Sequence, residues 1–413
     1  MESAIFALRQ RERVHRIHVV ASTAILCNLF KAMDGELPML DKLSLHLSTE
    51  SRTGLRLPEK LQVPLLRHLI LSNIAPPIKS PLLRQAEGLI TLRLWNVPAS
   101  VEFHPAHLVA QLSGMSCLEI LMIHFYTAIP KRRIESAAQP TPITLPSLKV
   151  LAFRGGSTYL EGILARVNAP LLSTLNIEFF NQLTLDLHRL LPFARATGGF
   201  GSSSAEIHFD KEFVSVIGGP QVERAGTHPF LVQVKCQRLD WQVTCAAQIC
   251  HALEPLFAGV ESLILGFYKD GSASWQDEID HEEWHGLFRI FAGVKSLQLT
   301  GGLVGDLFRS LRLDEGKLRL ELLSELRELV FPEPRELVLP EPRELVLPEL
   351  RKLVSSGSME VGGAVFHDPF TFRKHFKNIG RAYREQATTL IEICRLHAEA
   401  SPQTYTKGDR LQK

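Results

Sequence analysis

Cysteine is scarce in this chain: 6 residues in 413, at Cys27, Cys117, Cys236, Cys245, Cys250 and Cys394, with no C-x-x-C pair. That density excludes a disulfide scaffold, and it leaves Cys245 and Cys250 as core or turn residues rather than metal ligands. No Asn-x-Ser/Thr acceptor site occurs anywhere. Both absences point to a reducing interior, cytoplasm or nucleus. Residues 1–16 carry charges throughout and lack the apolar stretch of a signal peptide. The longest uncharged apolar run near the start, Ile17 to Phe30, is shorter than the roughly 20 residues a spanning helix needs. No membrane association is expected. Charge of one sign is missing as well. Lys and Arg number 46 against 44 Asp and Glu, a net +2, so bulk electrostatics give no case for nucleic acid.

What the chain has in quantity is one phrase, apolar-Pro-x-Leu-x-x-Leu-x-apolar. It is clearest at Leu145-Pro146-Ser147-Leu148-Lys149-Val150-Leu151-Ala152-Phe153-Arg154. Leu148, Leu151 and Phe153 point one way; Val150, Ala152 and Arg154 point the other. That is a short strand of period two, entered from a proline turn. Copies recur at 37–45, 63–71, 88–94, 117–123 and 169–177. Taking the first Leu of each Leu-x-x-Leu as origin, the positions are 40, 66, 89, 118, 148 and 172, at intervals of 26, 23, 29, 30 and 24 residues. Weaker copies follow at 205–209 and 231–240, and the pattern recovers at 259–265, 293–299 and 326–331. Leucine-rich repeats run at about 20–29 residues. The expected fold is therefore α/β, a leucine-rich-repeat solenoid or horseshoe with a parallel concave sheet and helical or irregular returns.

The expected organisation has four parts. Residues 1–36 form a capping strand and helix, with Thr23 as helix N-cap. Residues 37–354 form the solenoid, which ends in a tandem run of 8-residue units at 327–353 (Arg-Glu-Leu-Val-Phe-Pro-Glu-Pro and its copies). Residues 355–400 form a helical cap and 401–413 a frayed tail. Return helices are expected at Pro105 to Leu112, Tyr159 to Val167 and Thr184 to Arg195, where leucines fall at helical spacing.

Stacked repeats bury one sheet face together and leave the alternate positions of each strand outward. Those positions are Lys42, Ser44 and His46; His68, Ile70 and Ser72; Thr91, Arg93 and Trp95; Ile120, Met122 and His124; Val150, Ala152 and Arg154; and Thr174, Asn176 and Glu178. A long, chemically mixed surface suits a protein partner better than small-molecule catalysis, which prefers a cleft. The candidate partner-binding residues are Lys42, His46, His68, Arg93, Trp95, His124, Arg154, Asn176 and Glu178. Trp95, His124 and Arg154 lead, because aromatic and Arg side chains dominate interface energetics.

The copies at 37–45, 63–71, 145–153 and 169–177 resemble the leucine-rich-repeat part of fungal F-box-like proteins. The resemblance spans about 14–354. It implies a chain whose repeats present a protein substrate, as the substrate-binding component of a cullin-type ubiquitin ligase, with the ligase adaptor as a second partner. No Leu-Pro-x-Glu-[Ile/Leu]-Leu run precedes the first repeat; Leu57-Pro58-Glu59-Lys60-Leu61 is similar but lies between repeats. The implied substrate-recognition role is thus better supported than the adaptor-binding one.

One motif argues for an enzyme instead. His281-Glu282-Glu283-Trp284-His285 matches H-E-x-x-H, which on a helix sets two His one turn apart for zinc, with Glu282 activating water. No Gly-x-x-His continuation follows, and no third ligand is identifiable. An amphipathic surface return helix with Ile279, Leu287, Ile290 and Phe291 inward accounts for the same residues. A zinc hydrolase is carried as the alternative, beside a scaffold unrelated to ubiquitination and a decayed paralogue. The leading expectation is a non-enzymatic protein with no cofactor and no metal. The Gly198-Gly199-Phe200-Gly201 loop lacks the Lys-Ser/Thr of a phosphate-binding loop. The acidic cluster at 277–283 reads as a solvated face, and Lys131-Arg132-Arg133 is too short to argue nuclear import.

Overall fold

The computed structural model describes residues 10–48, 55–75, 81–98, 104–126, 142–180, 184–197, 200–219, 229–267, 281–300 and 325–331, the single residues 6, 8, 182 and 323, and two short strands at 359–361 and 364–366. The chain divides into two compact units, residues 1–201 with 217–236, and residues 202–216 with 237–413. The described strands of three residues or more are β1 (Arg16–Ala21), β2 (Lys42–Leu47), β3 (His68–Ser72), β4 (Thr91–Val97), β5 (Ile120–Phe125), β6 (Val150–Gly155), β7 (Thr174–Phe179), β8 (Ser204–Phe209), β9 (Phe213–Gly218), β10 (Phe230–Lys235), β11 (Ser262–Phe267), β12 (Ser296–Thr300), β13 (Glu328–Phe331), β14 (Met359–Val361) and β15 (Ala364–Phe366). The helices are α1 (Thr23–Met33), α2 (Pro81–Arg84), α3 (Pro105–Leu112), α4 (Ser157–Leu164), α5 (Leu190–Thr197), α6 (Leu239–Ala252), α7 (Glu254–Phe257) and α8 (His281–Ile290).

The fold is mixed α/β, built on a large, mostly parallel sheet that does not close on itself. In the first unit the strand order is β1-β2-β3-β4-β5-β6-β7-β10, parallel throughout. In the second it is β8-β11-β12-β13-β14-β15, parallel except for the last pair. Parallel neighbours need a crossover, and the helices and irregular returns supply it.

The phrase read from the sequence has a defined conformation. In nine of the eleven copies an apolar residue at or just before the start of the copy accepts a hydrogen bond from the N–H three residues on, at 3.0–3.3 Å. This happens in turns 37–40, 63–66, 86–89, 115–118, 145–148, 169–172, 257–260, 291–294 and 323–326. These are β-turns, and Pro38, Pro64, Pro146 and Pro170 occupy the second position, where a fixed φ near −65° is preorganised. Both ends of all nine turns are buried.

The residue after each turn makes the link between copies. The carbonyl of His15 accepts the N–H groups of both Asp41 and Lys42. The carbonyl of Asp41 accepts those of Arg67 and His68, and the pattern continues through Arg67, Ile90, Glu119 and Lys149. In the second unit Ser203, Glu261 and Lys295 do the same, every bond being 2.8–3.2 Å long. One carbonyl with two lone pairs thus serves two donors of the next copy.

Inward positions of the strands are fully shielded: Leu43, Leu45, Leu69, Leu71, Leu92, Leu121, Leu151, Leu175 and Ile177 are at most 2% exposed. The strand ends add Phe125, Phe153 and Phe179. Tyr159 of α4 packs on the first two rings, at 4.8 and 6.1 Å between centroids. Gly155 closes β6, where a Cβ would meet the Phe153 ring at 2.6 Å, so a larger residue would force the packed Phe153 ring to shift.

Several expectations are corrected. The N-cap of α1 is Ser22, not Thr23, and its side chain makes no capping bond. The helix expected at Thr184 to Arg195 begins only at Leu190, because the carboxylate of Glu161 in α4 receives the N–H groups of Arg189, at 2.5 Å, and Leu190 and so sets the start there. The strand expected at 231–240 ends at Lys235, and α6 starts at Leu239. Strands β14 and β15 lie inside the segment expected to be a helical cap. Most of the 327–353 tandem run, the region 368–400 and the tail at 401–413 lie outside the described residues, as do Lys131-Arg132-Arg133. No helix among the described residues is long and apolar enough to cross a membrane.

The turn anchors should dominate stability. Leu148→Ala, at a fully buried turn end, is expected to cost about 3 kcal/mol, and Leu171→Ala, 59% exposed one turn later, under about 0.5 kcal/mol. Urea unfolding of both variants measures this; equal losses would contradict the assignment of Leu148 as an anchor.

Candidate functional site: the outward face of strands β1 to β7

The strand register aligns the outward side chains into rows. One row runs Arg16, Lys42, His68, Thr91, Ile120, Val150, Thr174. The next runs His18, Ser44, Ile70, Arg93, Met122, Ala152, Asn176. The third runs Val20, His46, Ser72, Trp95, then His124, Arg154 and Glu178. All nine residues expected to bind a partner therefore lie on one sheet face, and each is partly or fully exposed. Three other outward positions are not available. Ser44, Thr91 and Ala152 are 2%, 6% and 3% exposed, because small side chains disappear between larger ones on adjacent strands.

An irregularity in β4 brings the two leading aromatic rings together. Leu94 pairs with Ile123 and Val97 with Phe125, so Trp95 and Asn96 together oppose His124. The extra residue is Asn96, at φ +51°, a left-handed conformation that Asn tolerates better than most side chains. The Trp95 and His124 rings meet edge to face, 4.3 Å apart at 74°. Sequence reasoning placed both residues on the face but had no signal for this contact beyond the Asn itself.

Next along the row, Arg154 Nε stands 3.2 Å from Glu178 Oε1, and its guanidinium lies 5.7 Å from the Phe180 ring. Burial, with Arg154 adding to it, pushes His124 down to about 4, so the ring is neutral at pH 7. At the other end of the face, Ser44 Oγ sits 3.0 Å from both His18 Nδ1 and His46 Nε2. One hydroxyl has one proton, so it donates to one ring and accepts from the other. Burial and the neighbouring His18 hold His46 below its usual value. Strand β1 is the expected capping strand, and it puts Arg16, His18 and Val20 on the same face; lacking the Leu-x-x-Leu signature, these three are not among the expected partner-binding residues. Its alternation, Arg-Ile-His-Val-Val-Ala, was the available signal.

The H-E-x-x-H stretch opens α8. Its expectation as a surface helix is half right. Leu287 and Phe291 face inward as expected, but Trp284 and Phe288 are fully buried too, and His285 is only 2% exposed. Trp284 packs on Phe209 and Phe288 at 5.5 and 5.7 Å. His285 Nδ1 lies 3.9 Å from Glu282 Oε1. The His281 side chain and most of the 277–283 cluster lie outside the described residues. Among the described residues no group of three His, Cys, Asp or Glu is arranged to hold a metal ion. Cys245 and Cys250 are core residues, fully buried in α6.

Compared with known proteins, the chain matches no family model and no curated protein.

Two groups tie stability to pH with opposite sign. The folded His124 ring refuses a proton that the unfolded chain takes up near 6.5, so stability falls as pH drops from 6.5 to about 4. Burial raises Glu161 to about 6 from 4.5, so its contribution is present below 4.5 and lost as pH rises through 6. The His124 Hε1 resonance should titrate with a midpoint near 4; a midpoint at 6.5 would contradict the buried, Arg-flanked environment.

Proposed function

We propose that this protein is a leucine-rich-repeat solenoid that recognises other proteins through the outward face of its parallel sheet, and that it acts as an F-box-like, substrate-presenting component of a cullin-type ubiquitin ligase. The observation that carries the recognition reading is the alignment of Trp95, His124, Arg154 and Glu178 across four consecutive strands. Recurring copies of one turn and strand hold these side chains on a rigid frame. A large aromatic side chain, a neutral imidazole and a guanidinium in one row are the residue types that anchor interfaces. The ligase role rests on the resemblance of the copies at 37–45, 63–71, 145–153 and 169–177 to the repeats of fungal F-box-like proteins. The repeats need no cofactor for this role.

Affinity capture from cell extract with the wild-type chain and a Trp95→Ala/Arg154→Ala variant tests both parts. Specific partners should fall at least tenfold with the variant, the effect of losing about 1.4 kcal/mol or more at an interface anchor. An unchanged set of partners would place recognition elsewhere. A cullin-ligase adaptor among the captured proteins supports the ligase role, and specific partners without it reduce the reading to a scaffold.

A further inference from the structure

The face carries a charge pattern that the chain as a whole does not. On β1 to β6, three outward positions per strand give Arg16, Lys42, Arg93 and Arg154, four histidines at 18, 46, 68 and 124, and not one Asp or Glu. The whole chain holds almost equal numbers of both signs, 46 to 44. The carboxylates bordering these strands are already engaged. Asp41 lies 3.7 Å from Arg16, Glu119 pairs with Lys149 at 2.9 Å, and Glu178 of β7 pairs with Arg154. Lys42 and Arg93 have no ion-pair partner among the described residues. The Nε of Arg93 is shielded from water and lacks a hydrogen-bond partner there, although a guanidinium has five N–H donors to place.

These two cations are set diagonally across β3. Lys42 is level with His68 in one row, and Arg93 is level with Ile70 in the next. Strands about 4.8 Å apart rising about 3.3 Å per residue place the two backbone positions about 12 Å apart. An extended chain covers that distance in three or four residues. Ile70 and Met122 flank Arg93 on either side in its row, and both are partly exposed. Two unpaired cations amid apolar side chains are too few for a nucleic-acid surface, which neutralises phosphates with many Lys and Arg.

We propose that this face binds an extended acidic peptide segment of a partner protein, with two carboxylates three or four residues apart, one held by the Arg93 guanidinium and the other by Lys42. Arg93 is partly exposed, and a carboxylate matches the forked terminal N–H donors of its guanidinium, while apolar residues between the two acids cover Ile70 and Met122. The proposal rests on the recognition reading above and names the chemistry of the partner.

The test is selection of a randomised decapeptide library on the immobilised full chain, repeated with Arg93→Met, Lys42→Met and, as a control off this face, Arg195→Met. The wild-type chain and the Arg195 control should enrich Asp or Glu at two positions three or four apart. Arg93→Met should lose the preference at one of them and Lys42→Met at the other, each with at least a tenfold drop in affinity for the selected peptide. Thermal melts matching wild type establish that the variants are folded; Arg93→Lys serves in place of an unfolded Arg93→Met and should retain part of the preference. No acidic enrichment, an acidic preference indifferent to both substitutions, or equal binding of a single-stranded oligonucleotide overturns the proposal. If it is overturned while the Trp95/Arg154 variant still loses its captured partners, recognition by this face stands and the partner's chemistry is different. If that variant also loses nothing, both readings fall.

Discussion

The backbone carbonyl that precedes each strand is the constraint on which the rest depends. In nine places it accepts two N–H groups from the following copy, that of the residue before the strand and that of the first strand residue. The pairing fixes where the next strand begins to within one residue. A slip of one residue would turn every inward Leu outward and every outward side chain into the core. The rows that run from Arg16, His18 and Val20 across to Thr174, Asn176 and Glu178 follow from this repeated start point. The apolar turn ahead of it, with both ends buried, ties each start point to the core.

The turn and the strand were legible because both signals are local. A proline in the second turn position, two buried ends and period-two alternation all fall within ten residues. The returns were legible only where a helix stands by itself, as in Pro105–Leu112, which the structure reproduces. The start of α5 at Leu190 is set by a carboxylate 29 residues earlier, at Glu161, and no local pattern encodes it. The burial of Ser44, Thr91 and Ala152 likewise comes from larger neighbours on adjacent strands, 23 to 30 residues away in sequence. The division into two units near residues 201–217 has no local signal beyond a weakening of the repeat, which degenerate copies account for equally well.

The candidate site was legible in its membership and not in its internal contacts. Alternation alone put Lys42, Arg93, Trp95, His124 and Arg154 on one face. It could not show that Asn96 adds a residue opposite His124, that Glu178 takes up Arg154, or that the Nε of Arg93 has no hydrogen-bond partner among the described residues. Those differences turn a list of outward residues into a surface with an engaged end at Arg154–Glu178 and an open, cationic centre at Lys42 and Arg93. The H-E-x-x-H motif shows the reverse case, a pattern strong on the page whose second histidine is packed beside Trp284 in the core.

Amide hydrogen exchange on the native full-length chain tests the central claim most directly. The account predicts that the paired amides of Asp41 and Lys42, Arg67 and His68, Glu119 and Ile120, Lys149 and Val150, and their counterparts exchange among the slowest in the molecule, because each pair closes onto the carbonyl of the copy before it. Exchange of these pairs at the rate of exposed peptide, while the strand interiors stay protected, would contradict it. The start points would then be free to slip, and nothing would hold the outward rows in line.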